Sequence, residues 1–269
     1  MAGRQGPVPA RQVAVDLGIR GKVALVTGAS AGIGEAVALS LAAEGVRLAV
    51  AARRRERLDD LAARAKAAGA EETRAFVFDQ SSAESIAQLC KDVEAQWAPI
   101  EVLVINGGGP APGTFSQMTP AAWDAAYALT LQSAVRLASA VLPGMRARRW
   151  GRIVALESVS VKQPIPALVL SNAFRGAVAA AMKSLATEVA AEGITVNTIA
   201  TGLVMTDRFR RIYDTPEKVA AAVAAVPIGR PATPPEFAPM VAFLCGEPAR
   251  YVTGQTISID GGLTAGVFG

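Results

Sequence analysis

GKVALVTGASAGIG, residues 21–34, is the stretch whose reading decides the fold. Val23, Ala24, Leu25, Val26 and Thr27 form a short apolar run with β-branched members, the pattern of a strand buried on both faces. Gly28, Gly32 and Gly34 then lead into Ile33, Val37, Ala38 and Leu41, apolar positions at helical spacing. A strand, a tight turn and a helix in that order leave the first backbone N–H groups of the helix without internal partners. Together with the positive end of the helix dipole they converge on one spot, where an anion fits. Glycine allows unusual dihedrals there and removes the Cβ atoms that would hold a diphosphate away from the backbone. The spacing is Gly-x-x-x-Gly-x-Gly rather than Gly-x-Gly-x-x-Gly. By itself it also suits a turn with no ligand, so the rest of the chain has to decide.

Hydrophobic residues make up 51% of the 269 and charged residues 19%, enough apolar side chain for a sizeable core and too little polarity for extended disorder. The formal charge of +4 is spread along the chain apart from a knot at Arg53, Arg54, Arg55 and Arg57, which argues against a nucleic-acid partner. Cys90 and Cys245 sit in apolar helical patterns and read as buried free thiols, with no metal site. With no histidine, the usual general base and the commonest metal ligand are missing, and a Ser-His-Asp triad is excluded. No apolar run approaches the roughly 20 residues that span a bilayer, and residues 1–14 lack the hydrophobic segment of a signal peptide. The expectation is a cytoplasmic protein with no membrane partner, a flexible tail over 1–14 and one domain over 15–269.

Downstream, strands are expected at 46–51, 73–78, 101–105, 152–156 and 194–199. Helices are expected at 55–68 with Gly69 as the stop, at 83–97, at 120–148 and at 168–191. Regular alternation of strand and helix implies parallel pairing through right-handed crossovers. The economical fold is a single α/β domain, a doubly wound, mostly parallel sheet of about seven strands with helices on both faces. Ligands of such a sheet lie at the carboxyl ends of the strands. The second strand exits into Arg53 and Arg54, where an acid would hydrogen-bond the ribose 2′-hydroxyl of NAD. Guanidinium groups suit a 2′-phosphate instead, so NADP(H) is favoured over NAD(H), the alternative being a solvated basic helix start. Asp79 can take an adenine amino group or serve as a helix N-cap. Asn106 to Gly109 lets the backbone pass close to a ring or a ribose.

Over residues 17–263 the chain resembles the short-chain dehydrogenase/reductase superfamily. TGASAGIG at 27–34 is similar to that family's cofactor turn, INGGG at 105–109 to its Asn-Asn-Ala-Gly motif and YVTGQTISIDGG at 251–262 to its closing strand. Within it, the sequence looks most like the 3-oxoacyl-acyl-carrier-protein-reductase branch. The resemblance implies a Rossmann fold, a nicotinamide cofactor, hydride transfer involving a carbonyl, an imine or a conjugated double bond, and a homotetramer or dimer through the two long helices. The candidate cofactor-binding residues are Gly28, Ser30, Ala31, Gly32, Ile33, Gly34, Arg53, Arg54, Asp79, Gln80, Asn106, Gly107, Gly108, Arg175, Gly202 and Val204.

The departures lie in the catalytic positions. The family follows a serine by Tyr thirteen residues later and by Lys four after that. Ser158 matches the serine, and Ser171 and Arg175 stand at the other two places. Thr130 falls where the family has an asparagine, and Ile105 and Thr201 replace an Asn and a Pro. A phenol beside an ammonium can protonate a developing alkoxide. An alcohol is a far weaker acid, and a guanidinium stays protonated at any ordinary pH. Three readings follow. The first is a reductase that relies on hydrogen-bond donors from Ser158, Ser171 and Arg175, with Lys162 reaching in from its loop as an electrostatic partner or proton donor. The second is a protein that binds NADP(H) without turnover. The third is a ketoreductase with a displaced tyrosine, Tyr127, Tyr213 or Tyr251. Residues 202–228 read as a lid with an apolar wall, in which Arg208, Arg210 and Arg211 can meet an acidic or acyl substrate.

Overall fold

The computed structural model describes residues 15–267, so the expected tail over 1–14 lies outside the described residues. Seven strands run parallel in the order β3-β2-β1-β4-β5-β6-β7: β1 (Val23–Thr27), β2 (Arg47–Ala52), β3 (Glu72–Val77), β4 (Val102–Ile105), β5 (Gly151–Ser158), β6 (Ile194–Thr201) and β7 (Thr256–Ile259). Because every pair is parallel, all carboxyl ends open on the same edge. Strand order reverses between β1 and β4, which sets the ligand crevice there.

Alternation along β1 fills both faces. Ala24 and Val26 join the layer of α1 (Gly32–Ala43), α2 (Arg55–Ala68) and α9 (Pro234–Leu244), while Val23 and Leu25 join that of α3 (Ala83–Gln96), α5 (Ser133–Arg148) and α6 (Val169–Val189). Cys90 belongs to one layer and Cys245 to the other, so the sheet separates them. Burial pushes both thiols up to about 12. Cys245 is the C-cap of α9 rather than an interior residue, and Gly69 ends α2 with φ +125° as the sequence implies.

Several boundaries differ from expectation. β5 and β6 each run two residues further at their carboxyl ends, because Glu157 pairs with Ala200 and Ser158 with Thr201 beyond the apolar runs. β3 begins one residue early and is only partly buried, as an edge strand should be. The expected 120–148 helix is α4 (Pro120–Ala126) and α5 joined by a wide π-type turn over Tyr127–Gln132. Pro120–Arg148 taken together is long enough, and apolar enough over part of its length, to cross a membrane by length and composition alone. Its apolar residues Leu137, Val141 and Met145 are nevertheless fully buried against the sheet layer, as in the core helix of a globular domain. The 202–228 stretch folds into α7 (Asp207–Ile212) and α8 (Pro216–Ala224), with Thr206 and Thr215 as N-caps.

Candidate functional site

The turn after β1 is built around Asn106. Gly28 has φ +59°, and a Cβ there would lie 2.6 Å from Asn106 O, while one on Gly34 would lie 2.4 Å from Gly28 O. Asn106 Nδ2 donates to Thr27 O (3.3 Å) and Gly28 O (3.1 Å), and Thr27 Oγ1 donates to Asn106 O (2.8 Å). The loops after β1 and β4 are thereby locked together. At the start of α1 the N-cap Ala31 offers no side-chain acceptor, so the first amides of the helix face the crevice uncapped. A dinucleotide diphosphate fits this cradle: side chains are missing where its oxygens would lie, and the free N–H groups and the helix dipole favour an anion.

Arg54 lies across the same turn, donating to Ser30 Oγ (2.9 Å from Nη2, 3.2 Å from Nε) and to Ser30 O (3.3 Å). Arg53 is exposed beside it and Asp79 feels its charge. A guanidinium on Ser30, with the exposed Arg53 next to it in sequence, suits a 2′-phosphate better than a bare hydroxyl. The N-cap alternative for Asp79 is corrected, since Ser82 caps α3. Asp79 instead accepts from Ser81 N and Oγ, which hold its carboxyl below the usual range. Gln80 Nε2 donates to Ser133 Oγ (3.1 Å) and Leu129 O (3.4 Å). It fills the space a Cβ on Gly107 would take, so its amide is engaged with the wide turn before α5. Gly108 has nothing within 4 Å of its missing side chain.

Next to this cradle is a cavity of about 400 Å³ whose lining includes Ile33, Asn106, Gly107, Glu157, Ser158, Ser171, Arg175, Thr201, Gly202, Val204, Arg208 and Tyr213. Ser158 Oγ accepts from Ser160 N (3.1 Å), leaving its own O–H to donate. Ser171 is buried at the first turn of α6, and its hydroxyl has no protein partner among the described residues. Arg175, one turn on, donates to Glu157 Oε2 (2.7 Å) and Leu156 O (3.3 Å). Ser158, Ser171 and Arg175 therefore share one wall. Lys162 ends the short turn after Ser158, and it is its neighbour Gln163 that lines the cavity. Thr130 is buried in the wide turn with Oγ1 unpaired among the described residues.

One charged lining residue, Glu157, escaped the sequence reading. Glu157 is a buried carboxyl whose burial pushes its pKa up against the pull of Arg175. Its signal was a charged residue directly after the apolar run 153–156, at the carboxyl end of a strand, where ligands of a parallel sheet bind. Tyr213 also lines the cavity, with its ring 4.8 Å from Phe209, and burial raises its phenol above the ordinary range. That makes it a poorer acid than a free tyrosine, opposite to what a displaced catalytic phenol requires. Tyr127 packs on Phe174, and Tyr251 is exposed.

Comparison with known proteins agrees with this geometry. The family description "Enoyl-(Acyl carrier protein) reductase" matches residues 28–264. The chain is 38% identical to an acetoacetyl-CoA reductase of Shinella zoogloeoides over 90% of this chain and 98% of the relative. It is 34% identical to a 3-oxoacyl-[acyl-carrier-protein] reductase FabG of Vibrio cholerae, over 92% and 99%. Its fold superposes on the crystal structure of L-sorbose reductase from Gluconobacter frateurii, complexed with NADPH and L-sorbose. The TM-score is 0.89 at 31% identity, covering 94% of this chain and all of that one.

Proposed function

The chain belongs to the short-chain dehydrogenase/reductase family, and from that premise we propose that it is an NADP(H)-dependent oxidoreductase acting on a small-molecule or acyl substrate. It reduces a carbonyl or a conjugated C=C or C=N bond through an atypical Ser158–Ser171–Arg175 site. The observation that carries this reading is that the uncapped, glycine-lined turn 28–34 and the wall bearing Ser158, Ser171 and Arg175 open on one crevice. The preference for NADP(H) rests on Arg53 and Arg54 and on the NADPH of the sorbose reductase.

NADPH, when bound, supplies the hydride. The protein's part is to stabilise the charge that develops on the substrate. The Ser158 and Ser171 hydroxyls donate to the oxygen or nitrogen that becomes negative, and Arg175 adds a fixed positive charge held in place by Glu157. None of the three releases a proton readily, so the final proton comes from water. This chemistry suits an enone, whose enolate survives until it is protonated, better than a simple ketone. The same reading has the protein working in the cytoplasm as a homotetramer or dimer through α5 and α6.

Titrating NADPH and NADH by protein fluorescence, then following loss of reduced-nicotinamide absorbance with ketones, enones and imines, tests the reading. NADPH should bind more tightly than NADH, and enones should be consumed fastest. The double variant Ser171→Tyr, Arg175→Lys should raise ketone reduction. Binding of NADPH with no turnover of any member of the panel overturns the catalytic part.

A further inference from the structure

Resting on the oxidoreductase reading above, we infer that the substrate carries a free carboxylate and that Arg208 on α7 is the residue that binds it. Arg208, Arg210 and Arg211 are close in sequence but do different things. Arg210 is exposed and pairs with Asp207 at 3.4 Å, and Arg211 is exposed. Only Arg208 lines the cavity. It is half-buried, and its polar contacts are two long ones, Nη1 to Gly109 O (3.3 Å) and Nη2 to Pro110 O (3.5 Å). No carboxylate lies within salt-bridge distance of it among the described residues. A guanidinium carries five N–H donors, so most of its hydrogen-bonding capacity is unused by the protein.

The surrounding charges leave that need unmet. The neighbouring cation, Arg175, already has its counter-charge in Glu157 at 2.7 Å, so these three side chains leave the cavity with one positive charge in excess. Burial, with repulsion from Arg175 and Arg211 added to it, holds the Arg208 guanidinium below its ordinary pKa. The negative charge of a carboxylate ligand offsets both the cost of burial and the repulsion, and the planar fork of the guanidinium matches a carboxylate with two parallel hydrogen bonds. The fold also makes room for the group: a Cβ on Gly109 would lie 2.6 Å from Arg208 Nη2, so a glycine there lets the side chain lie over the loop after β4.

The phosphates of the dinucleotide are served elsewhere. Thr206, the N-cap of α7, faces the phosphate turn, since its methyl would lie 3.1 Å from a Cβ on Gly32, whereas the Arg208 guanidinium lies over Gly109 and Pro110 of the loop after β4 and lines the cavity, where it feels the charge of Arg175. Leu156, Ile165, Leu168, Ile212 and Leu263 give that cavity much of its apolar lining. The chemistry selected is a short apolar chain that ends in a carboxylate at Arg208 and presents its reducible bond to Ser158 and Ser171.

The test titrates the full-length protein, saturated with NADP+, with hexanoate and with its neutral counterpart hexanamide, reading heat by calorimetry. Hexanoate should bind about tenfold or more tightly than hexanamide. Arg208→Gln should weaken hexanoate by about tenfold or more and leave hexanamide unchanged. Arg208→Lys should restore part of the preference by keeping the charge. The affinity of each variant for NADP+ should stay within about twofold of the parent. Equal binding of the two probes, no saturable binding of hexanoate, or an undiminished preference in Arg208→Gln overturns the inference. So does a parallel loss of NADP+ affinity, which would assign the guanidinium to the cofactor. Failure of the unmodified protein to bind NADP+ is a separate result and strikes the oxidoreductase reading instead.

Discussion

The two ends of β5 each place an arginine out of water, and they solve the problem in opposite ways. At the amino end Arg152 is the largest fully buried side chain. It donates to Gly246 O, Gly151 O and Gly193 O at 3.3, 2.9 and 3.3 Å, lies 4.3 Å over the Trp150 ring and has Glu247 at 3.5 Å. Trp150 in turn donates to Glu247, and Lys22 sits 3.9 Å from the same ring. Burial lowers the guanidinium's pKa, Glu247 opposes that, and nearly every donor has a home. At the carboxyl end Arg175 has one carboxylate, itself buried, and Arg208 nearby has two marginal carbonyls. The first arrangement is a structural tie between strands. The second is an incomplete one, and it stands where ligands of a parallel sheet bind. A satisfied buried charge is costly to disturb, whereas an unsatisfied one at this edge of the sheet marks a place for a ligand to complete.

The largest effect expected from this contrast is on Arg152. Arg152→Ala removes a fully buried side chain and leaves backbone carbonyls of Gly246 and Gly193 without their donor. Glu247, whose side chain is 40% exposed, regains water. Stability should fall by about 3 kcal/mol in urea unfolding, while NADPH affinity, which depends on the other edge of the sheet, stays as it was. A comparable loss of NADPH binding in the folded variant would dissolve the contrast.

Neutralising the carboxylate at the other end should do something smaller and of opposite sign. Burial raises the Glu157 pKa despite Arg175, so the native state takes up protons more readily than the unfolded chain. The contribution of a group with a raised folded-state pKa is fully present below its unfolded value and is lost as pH rises through the folded one. Glu157→Gln should therefore match the parent below the usual carboxylate range. Near neutrality it should equal or exceed the parent, by about 1 kcal/mol at most, because Arg175 opens on the cavity and keeps the amide oxygen as a partner. Enone turnover should drop in the same variant, since the anchor that aims Arg175 is weakened. Stability that falls at neutral pH and recovers in acid would show that the pair holds the fold together after all.

These two ends were unequally legible in the sequence. The turn at 28–34 was readable because its logic is local: an apolar run, glycines at fixed offsets and helical spacing within one short stretch. Ser158, Ser171 and Arg175 were found through the resemblance to a family pattern, and they do share a wall. What could not be read depended on pairing between distant segments. The last two residues of β5 belong to the strand only because β6 runs alongside, and so Glu157 looked like a loop residue. Arg152 looked like any charged residue at a strand start, because its partners Gly193, Gly246 and Glu247 come from elements far along the chain. Lys162 was singled out by its closeness in sequence to Ser158, and the turn between them brings its neighbour Gln163 to the cavity lining. Among Arg208, Arg210 and Arg211, only the docking of α7 decides which one points inward.

The smallest expected effect belongs to a third arginine–carboxylate pair, on the surface, which sharpens the contrast by reversing its pH dependence. Glu236 closes the capping box of α9, accepting from Thr233 N (2.8 Å) and Thr233 Oγ1 (2.9 Å), and it receives two bonds from Arg230 (2.9 and 2.6 Å). The Arg230 bonds, followed by those from Thr233, hold its carboxyl down to about 2. A depressed folded-state pKa contributes stability that is present above the unfolded value and lost as pH falls through the folded one. Glu236→Gln should accordingly lower Tm slightly at neutral pH, because solvent screens so exposed a pair. The gap to the parent should close as the pH is taken down to about 2, where the carboxyl is itself protonated. Glu157→Gln draws level with the parent from the other side, losing its advantage in acid where Glu236→Gln loses its deficit. If the two variants instead show the same sign at neutral pH, burial is not what separates the pair in the cavity from the pair on the surface. The excess charge at Arg208 would then have to be explained without it.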